Sequence, residues 1–187
     1  FKTTGVGRMV TDKEGNIWFC SFSGISMLPW QNNQWQTISL RDQNNDNTIL
    51  EPTNVCKIPG TDELLITTSG STGIGYYNPD KNQFNVIRIG NNESASSLCI
   101  AANTVYVLTE KDLYRFQPAT KTFTALQVKY NDQPLVGPVW RMINGGNNTL
   151  LIASPQNGFY RYHTDTRITE HFNIWDVDRS VNKTETE

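Results

Sequence analysis

The chain repeats itself four times, and that periodicity restricts its fold more than any other feature. Four apolar triplets read alike: Ile17-Trp18-Phe19, Leu64-Leu65-Ile66, Val105-Tyr106-Val107 and Leu150-Leu151-Ile152. Their middle residues, Trp18, Leu65, Tyr106 and Leu151, step by 47, 41 and 45 positions. Three residues past each middle position stands a hydroxyl: Ser21, Thr68, Thr109 and Ser154. A second apolar strand follows over 25–28, 74–77, 113–116 and 159–162. Gly24, Gly73 and Gly158 open it in three of the four units, where the turn calls for positive φ or close packing. Then come polar turns and a short strand led by Trp35, Phe84, Phe123 or Ile168. One more apolar strand precedes each triplet, over 6–10, 55–58, 98–101 and 139–143. Each unit therefore predicts four strands.

No window carries a helical period; apolar residues come in short runs bounded by Gly, Pro, Asn and Asp, the pattern of strands and hairpins. Four-stranded repeats of about 40–45 residues have the size of propeller blades. A middle strand covered by neighbouring blades on both faces need not alternate strictly. The expected fold is all-β, a β-propeller fragment of about four four-stranded blades. A meandering β-sandwich is the alternative, although sandwiches do not usually hold one spacing through four units. The units fall over residues 5–46, 47–91, 92–130 and 131–174, with 175–187 as a linker or tail. Residues 1–4, Phe1-Lys2-Thr3-Thr4, match Trp35-Gln36-Thr37-Ile38 and read as the closing strand of a preceding blade. An open arc of this kind exposes apolar blade faces and is expected to self-associate.

Composition removes several functions. At 187 residues the chain buries roughly 70% of its unfolded surface and needs no disulfide or metal to hold a core. Sixteen Lys and Arg against 18 Asp and Glu leave a net charge of −2, which argues against nucleic acid as a partner. No apolar run is long enough to insert directly into a membrane. Only 18% of residues are charged while 11% are aromatic, a balance closer to extracytoplasmic β-rich proteins than to cytosolic helical enzymes. Cys20, Cys56 and Cys99 sit in apolar strand-like segments and read as buried thiols rather than nucleophiles, with no His close in sequence. His163 and His171, the only histidines, complete no metal-ligand spacing. The loop Ser69-Gly70-Ser71-Thr72-Gly73-Ile74-Gly75 lacks the following helix and the Lys of a phosphate cradle, and reads as a hairpin loop. The pairs Asp12/Glu14 and Asp62/Glu63 fall in reverse turns, where carboxylates accept backbone hydrogen bonds. No catalytic residue, metal or cofactor is predicted.

The run Asp12-Lys13-Glu14-Gly15-Asn16-Ile17-Trp18, followed by a serine and by Ser23-Gly24-Ile25, resembles the two-component regulator propeller repeat. It is less close to the repeat of lyase-type propellers such as virginiamycin B lyase. Tyr77-Asn78-Pro79-Asp80-Lys81-Asn82-Gln83-Phe84 resembles the turn that closes each blade in that family. The later units depart from the pattern: Leu65, Tyr106 and Leu151 replace the tryptophan, and Asp112 stands where glycine is expected. The resemblance implies a periplasmic sensor module of a hybrid histidine-kinase regulator, often one controlling polysaccharide use, whose output lies on other segments. Trp18, mid-blade between Ile17 and Phe19, and Gly15, Gly24, Gly73 and Gly158 are read as structural.

Function is read from the loops. Connections between units, over 39–53, 88–94 and 127–138, open on the same face as the loops inside the middle hairpins. The first and third are longer than a turn requires, and such loops on a rigid scaffold are where binding concentrates. They carry Arg41, Asp42, Glu51, Tyr130 and Asp132 towards the mouth of the channel. Val6-Gly7-Arg8-Met9-Val10 and Val139-Trp140-Arg141-Met142-Ile143 repeat one pattern, adding Arg8, Trp140 and Arg141. Guanidiniums at such positions ordinarily pair with carboxylates. Two of them with an indole also suit an acidic or sulfated saccharide, through bidentate contacts and ring stacking. The expected partners are a small-molecule or oligosaccharide ligand and other blades of the parent chain or a second copy. A lyase or hydrolase on the same fold, or a structural interaction module, stays open as an alternative, since one fold hosts many functions.

Overall fold

A computed structural model of the chain describes residues 9–21, 24–32, 34–42, 48–69, 72–135, 141–154 and 158–173. Blade one is built of β1 (Met9–Thr11), β2 (Ile17–Ser21), β3 (Gly24–Leu28) and β4 (Gln36–Ile38). A hairpin of β5 (Arg41–Asp42) and β6 (Thr48–Ile49) leads to blade two: β7 (Glu51–Lys57), β8 (Leu64–Ser69), β9 (Ile74–Asn78) and β10 (Gln83–Ile87). Blade three holds β11 (Ala95–Ala101), β12 (Thr104–Thr109), β13 (Leu113–Gln117) and β14 (Thr122–Ala125). A second hairpin, β15 (Lys129–Tyr130) with β16 (Gln133–Pro134), precedes blade four: β17 (Arg141–Gly146), β18 (Thr149–Ser154), β19 (Gly158–His163) and β20 (Thr169–Phe172). Every blade is an antiparallel meander in chain order. The first strands β1, β7, β11 and β17 pack against one another in sequence and so line the axis. This is a propeller arc, and the sandwich alternative is excluded.

The triplets explain how blades stack. Successive strand residues point to opposite faces. The middle residue therefore faces the next blade and its two neighbours face the previous one. Trp18 packs forward into a core shared with Leu64 and Ile66. Leu65 packs forward onto Val105 and Val107, and Tyr106 onto Leu150 and Ile152. Each interface is thus one column of middle residues against one column of flanking residues. Full burial of each aliphatic side chain there contributes about 1.5–3 kcal/mol. Cys20, Cys56 and Cys99 are buried within these cores. Burial pushes the Cys20 thiol up to about 12, so it stays protonated at neutral pH.

The two outer faces lack this cover among the described residues. On the rear of blade one, Met9 is 63% exposed, and Trp35, 50% exposed, stands edge-on to Phe19 with ring centroids 5.0 Å apart. On the front of blade four, Ile143, Phe159 and Phe172 are 53%, 47% and 41% exposed. These are the faces that blades two and three bury.

Two sequence expectations need correction. The connections at 39–53 and 127–138, expected as loops, hold the β5–β6 and β15–β16 hairpins, because a connection that long pairs its own backbone polar groups. Glu51, expected in a loop, is the first residue of β7, and β11 also starts earlier than expected, at Ala95. An axial strand faces the channel, so it tolerates polar residues that a search for apolar runs passes over. Both strands carry a bulge near their start, at Pro52/Asn54 and Ala95/Ser97. Residues 1–4 and 175–187 lie outside the described residues.

Candidate functional site

The propeller offers two loop-bearing faces. The lower one is built from β1–β2 and β7–β8 turns together with the turn after β9. Asp12 organises it. Its Oδ1 accepts the backbone N–H of Glu14 (3.0 Å) and Asn16 (2.9 Å). Its Oδ2 accepts Asn16 Nδ2 and the Trp18 indole N–H, both at 2.9 Å. Gly15, at φ +86°, lets the turn close, with its N–H bonded to the Asp12 carbonyl. The Asp-x-x-Gly-Asn-x-Trp pattern is therefore a turn that holds the tryptophan in place. Trp18 itself is 3% exposed, with its ring 5.6 Å from that of Tyr77 in blade two.

Charged contacts tie the blades on this side. Lys13 Nζ lies 3.1 Å from Asp62 Oδ2, and the Lys13 backbone N–H donates to Asp62 Oδ1 at 3.0 Å. Lys57 stands 3.8 Å from the same carboxylate. Between blades two and three, Lys121 Nζ sits 4.1 Å above the Tyr76 ring, whose hydroxyl donates to Glu63. A cleft of about 390 Å³ runs between blades one and two, its lining including Trp18, Tyr77, Asp80 and Asn82. It continues into a second cleft of about 460 Å³ past Lys57 and Thr61. In the sequence Asp12 and Asp62 are legible only as turn residues. The signal that links Lys13 to Asp62 is spacing: they are 49 residues apart, close to the 47-residue step between their blades.

Burial raises the carboxyl pKa values of Asp12 and Asp62. Hydrogen bonds from Trp18 and the Asn16 and Glu14 groups outweigh that at Asp12, and the contacts from Lys13 and Lys57 outweigh it at Asp62. Both end below the ordinary range. A carboxylate with a depressed folded pKa adds stability that is complete above the unfolded value near 3.9 and lost as pH falls through the folded one. Thermal unfolding followed from pH 7 to about pH 2 should show the melting temperature dropping below about pH 4. Asp12→Asn should melt lower at pH 7 and lose less on acidification. An unchanged acid slope in that variant would remove Asp12 from this role.

The upper face carries the two hairpins and the turns inside the middle hairpins. Here the hydroxyl column closes turns: Ser21 Oγ donates to the Gly24 carbonyl at 2.8 Å, and Thr109 Oγ1 accepts the N–H of Lys111 and Asp112 at 3.1 Å. Glu93 joins blades two and three. Its carbonyl accepts the Gly73 N–H at 2.7 Å, while its carboxylate receives Thr109 Oγ1 at 2.6 Å and the Tyr114 hydroxyl at 2.9 Å. Burial and the Glu93 carboxylate push the Tyr114 phenol up to about 12.

The predicted site residues divide by radius. Glu51 and Arg141 are exposed at the starts of the axial strands β7 and β17. Glu51 Oε2 accepts Ser69 Oγ at 3.3 Å. Arg41 is exposed on β5, which lies by the outer strand β10. Tyr130 is half-buried on β15, beside the outer strand β20, with its ring 5.8 Å from Tyr160 and 5.1 Å from His171. Asp132 is exposed at the tip of that hairpin, at φ +59°. Arg8 and Trp140 lie outside the described residues.

No family model matches the sequence, and no curated protein matches it either. Solved structures do match in fold. One is named as the extracellular domain of the hybrid two-component system BT3049 from B. thetaiotaomicron: 18% identity, TM-score 0.67, covering 90% of this chain and 24% of that one. The extracellular domain of BT4673 from the same organism gives 20% identity and TM-score 0.67, covering 91% of this chain and 22% of that one. Virginiamycin B lyase from Staphylococcus aureus gives 14% identity and TM-score 0.67, covering 90% of this chain and 55% of that one. The chain thus spans about a quarter of the first two proteins. At these identities the likeness establishes the fold: this is a β-propeller arc.

Proposed function

We propose that this chain is part of the extracytoplasmic sensor of a two-component regulator, and that it binds a saccharide on its upper face. The observation that carries the reading is the fold likeness to extracellular domains of two hybrid two-component systems, found in a chain whose first blade bears the Asp12–Trp18 turn. The rigid blades below and the built-out hairpins above suit recognition, since binding groups concentrate on loops held by a stiff scaffold. Arg141 on the axial strand, with Arg41 and Tyr130 on the hairpins, supplies guanidinium and aromatic groups for an anionic sugar. The carboxylates of Glu51 and Asp132 supply acceptors for its hydroxyls.

Calorimetric titration with a panel of acidic, sulfated and neutral oligosaccharides tests this. Binding is expected for the anionic members, with Arg141→Ala weakening it about 10-fold or more through loss of a charge-assisted hydrogen bond. Equal binding by wild type, Arg41→Ala and Arg141→Ala, or contacts confined to the lower cleft beside Asp80 and Asn82, would overturn the assignment of the upper face.

A further inference from the structure

The connection between blades two and three, residues 88–94, is short and held from both sides. The Glu93 N–H donates to the Ile89 carbonyl at 2.9 Å, and the Glu93 carbonyl accepts the Gly73 N–H at 2.7 Å. A parallel bridge joins Gly73 to Ser94. The Glu93 carboxylate reaches across to Thr109 Oγ1 and the Tyr114 hydroxyl of blade three. The segment is thus fixed to two blades, and what it presents to solvent stands on preorganised backbone. Arg88 and Asn92 are exposed on it, at the upper end of β10.

Arg88 is oriented without being neutralised. Its Nη1 donates to Thr72 Oγ1, in the hairpin between β8 and β9, and to Asn92 Oδ1, both at 3.1 Å. Both acceptors are uncharged. Among the described residues no carboxylate pairs with Arg88, and its Nε and Nη2 make no hydrogen bond. Glu93, the acid on the same segment, is turned to Thr109 and Tyr114 instead. Nε and Nη2 form the side edge of the guanidinium, which takes both oxygens of a carboxylate in two parallel bonds. The anchored nitrogen is the one that this edge does not use. The strand β5, which carries Arg41, lies by β10, so a second guanidinium belongs to the same corner of blade two.

We infer that Arg88 selects the ligand of the upper face by its acid group: the Nε–Nη2 edge receives the carboxylate of a uronic acid residue, while Thr72 and Asn92 position the fork. The inference rests on the saccharide-binding reading and deepens it, naming a carboxylated sugar as the substrate class and the outer corner of blade two as the place where its charge is met.

Binding isotherms of wild type, Arg88→Ala, Arg88→Lys and Arg141→Ala test it, with oligomers of galacturonate, glucuronate and mannuronate and with the methyl esters of each. Arg88 is exposed, so its replacement opens no core, and circular dichroism checks that each variant is folded. Wild type should prefer an acid to its ester. Arg88→Ala should weaken binding of the acid about 10-fold or more and leave the ester unchanged, so that the preference collapses. Arg88→Lys keeps the charge without the fork and should restore only part of it. Acid binding by Arg88→Ala at the wild-type level, or an equal loss on acid and ester, would overturn the role of Arg88. The upper-face reading survives that result if Arg141→Ala still weakens binding. A wild type that binds sulfated or neutral oligosaccharides but no uronate overturns the inference alone, and one that binds no saccharide overturns both.

Discussion

Replacing Trp18 by alanine is expected to cost about 3–5 kcal/mol of stability, measured by denaturant unfolding at neutral pH. The indole is 3% exposed, packs against Tyr77 of the next blade, and donates to Asp12. Its removal opens a cavity at the first blade interface and leaves one Asp12 oxygen short of a donor. Trp18→Phe keeps most of the ring volume and loses the N–H, so its cost should fall well below that of alanine. A variant that unfolds at the wild-type denaturant midpoint, yet has lost saccharide binding, would make Trp18 a contact residue and not a structural one.

Gly24→Ala should be the most damaging of the glycine substitutions, at roughly 3 kcal/mol or more. A methyl at this position would lie 1.9 Å from the Ile38 carbonyl oxygen and 2.8 Å from its carbon, both main-chain atoms of the paired strand β4. The backbone there, at φ +140°, is also one that side chains rarely adopt. Relief requires breaking the β3–β4 pairing. Gly60→Ala is the matched control. Its φ is +80° but nothing lies within 4 Å of the added carbon, so about 1–2 kcal/mol of backbone strain is all it should lose. Thermal melts of the two side by side decide the point; equal losses would mean that backbone conformation, not the carbonyl contact, explains glycine at position 24.

The same contact shows why part of the repeat was legible and part was not. Glycine opens the third strand in blades one and four and directly precedes it in blade two, where at Gly73 an added carbon would fall 2.4 Å from the Ile87 carbonyl oxygen. Blade three solves the junction differently. Asp112 takes no positive φ, and its carboxylate accepts the N–H groups of Leu113 (2.7 Å), Gln127 (3.0 Å) and Val128 (3.3 Å). An exception to the pattern was visible in the sequence, whereas its chemistry depended on a loop 15 residues away. The triplets were legible because strand alternation is local. The hairpins were not, because Arg41 pairs with Ile49 and Tyr130 packs on Tyr160 only once the connection has chosen a direction. Of the candidate site, sequence identified Arg141 as an axial residue. The lower cleft depends on Lys13 meeting Asp62 across two blades, a pairing that only their spacing of about one repeat step announces.

Since the middle residue of each triplet belongs to one interface and its neighbours to another, the repeat is not the unit on which mutation is judged. Trp18 answers to Tyr77 and Ile66, not to Ile17 or Phe19 beside it. Leu65 and Tyr106 can therefore stand where blade one has Trp18, since each is fitted to the flanking residues of its own next blade, Val105 and Val107 or Leu150 and Ile152. Compensating changes should be found about one repeat step apart along the chain. The joints between blades, more than the blades themselves, are thus the units in which this molecule tolerates change.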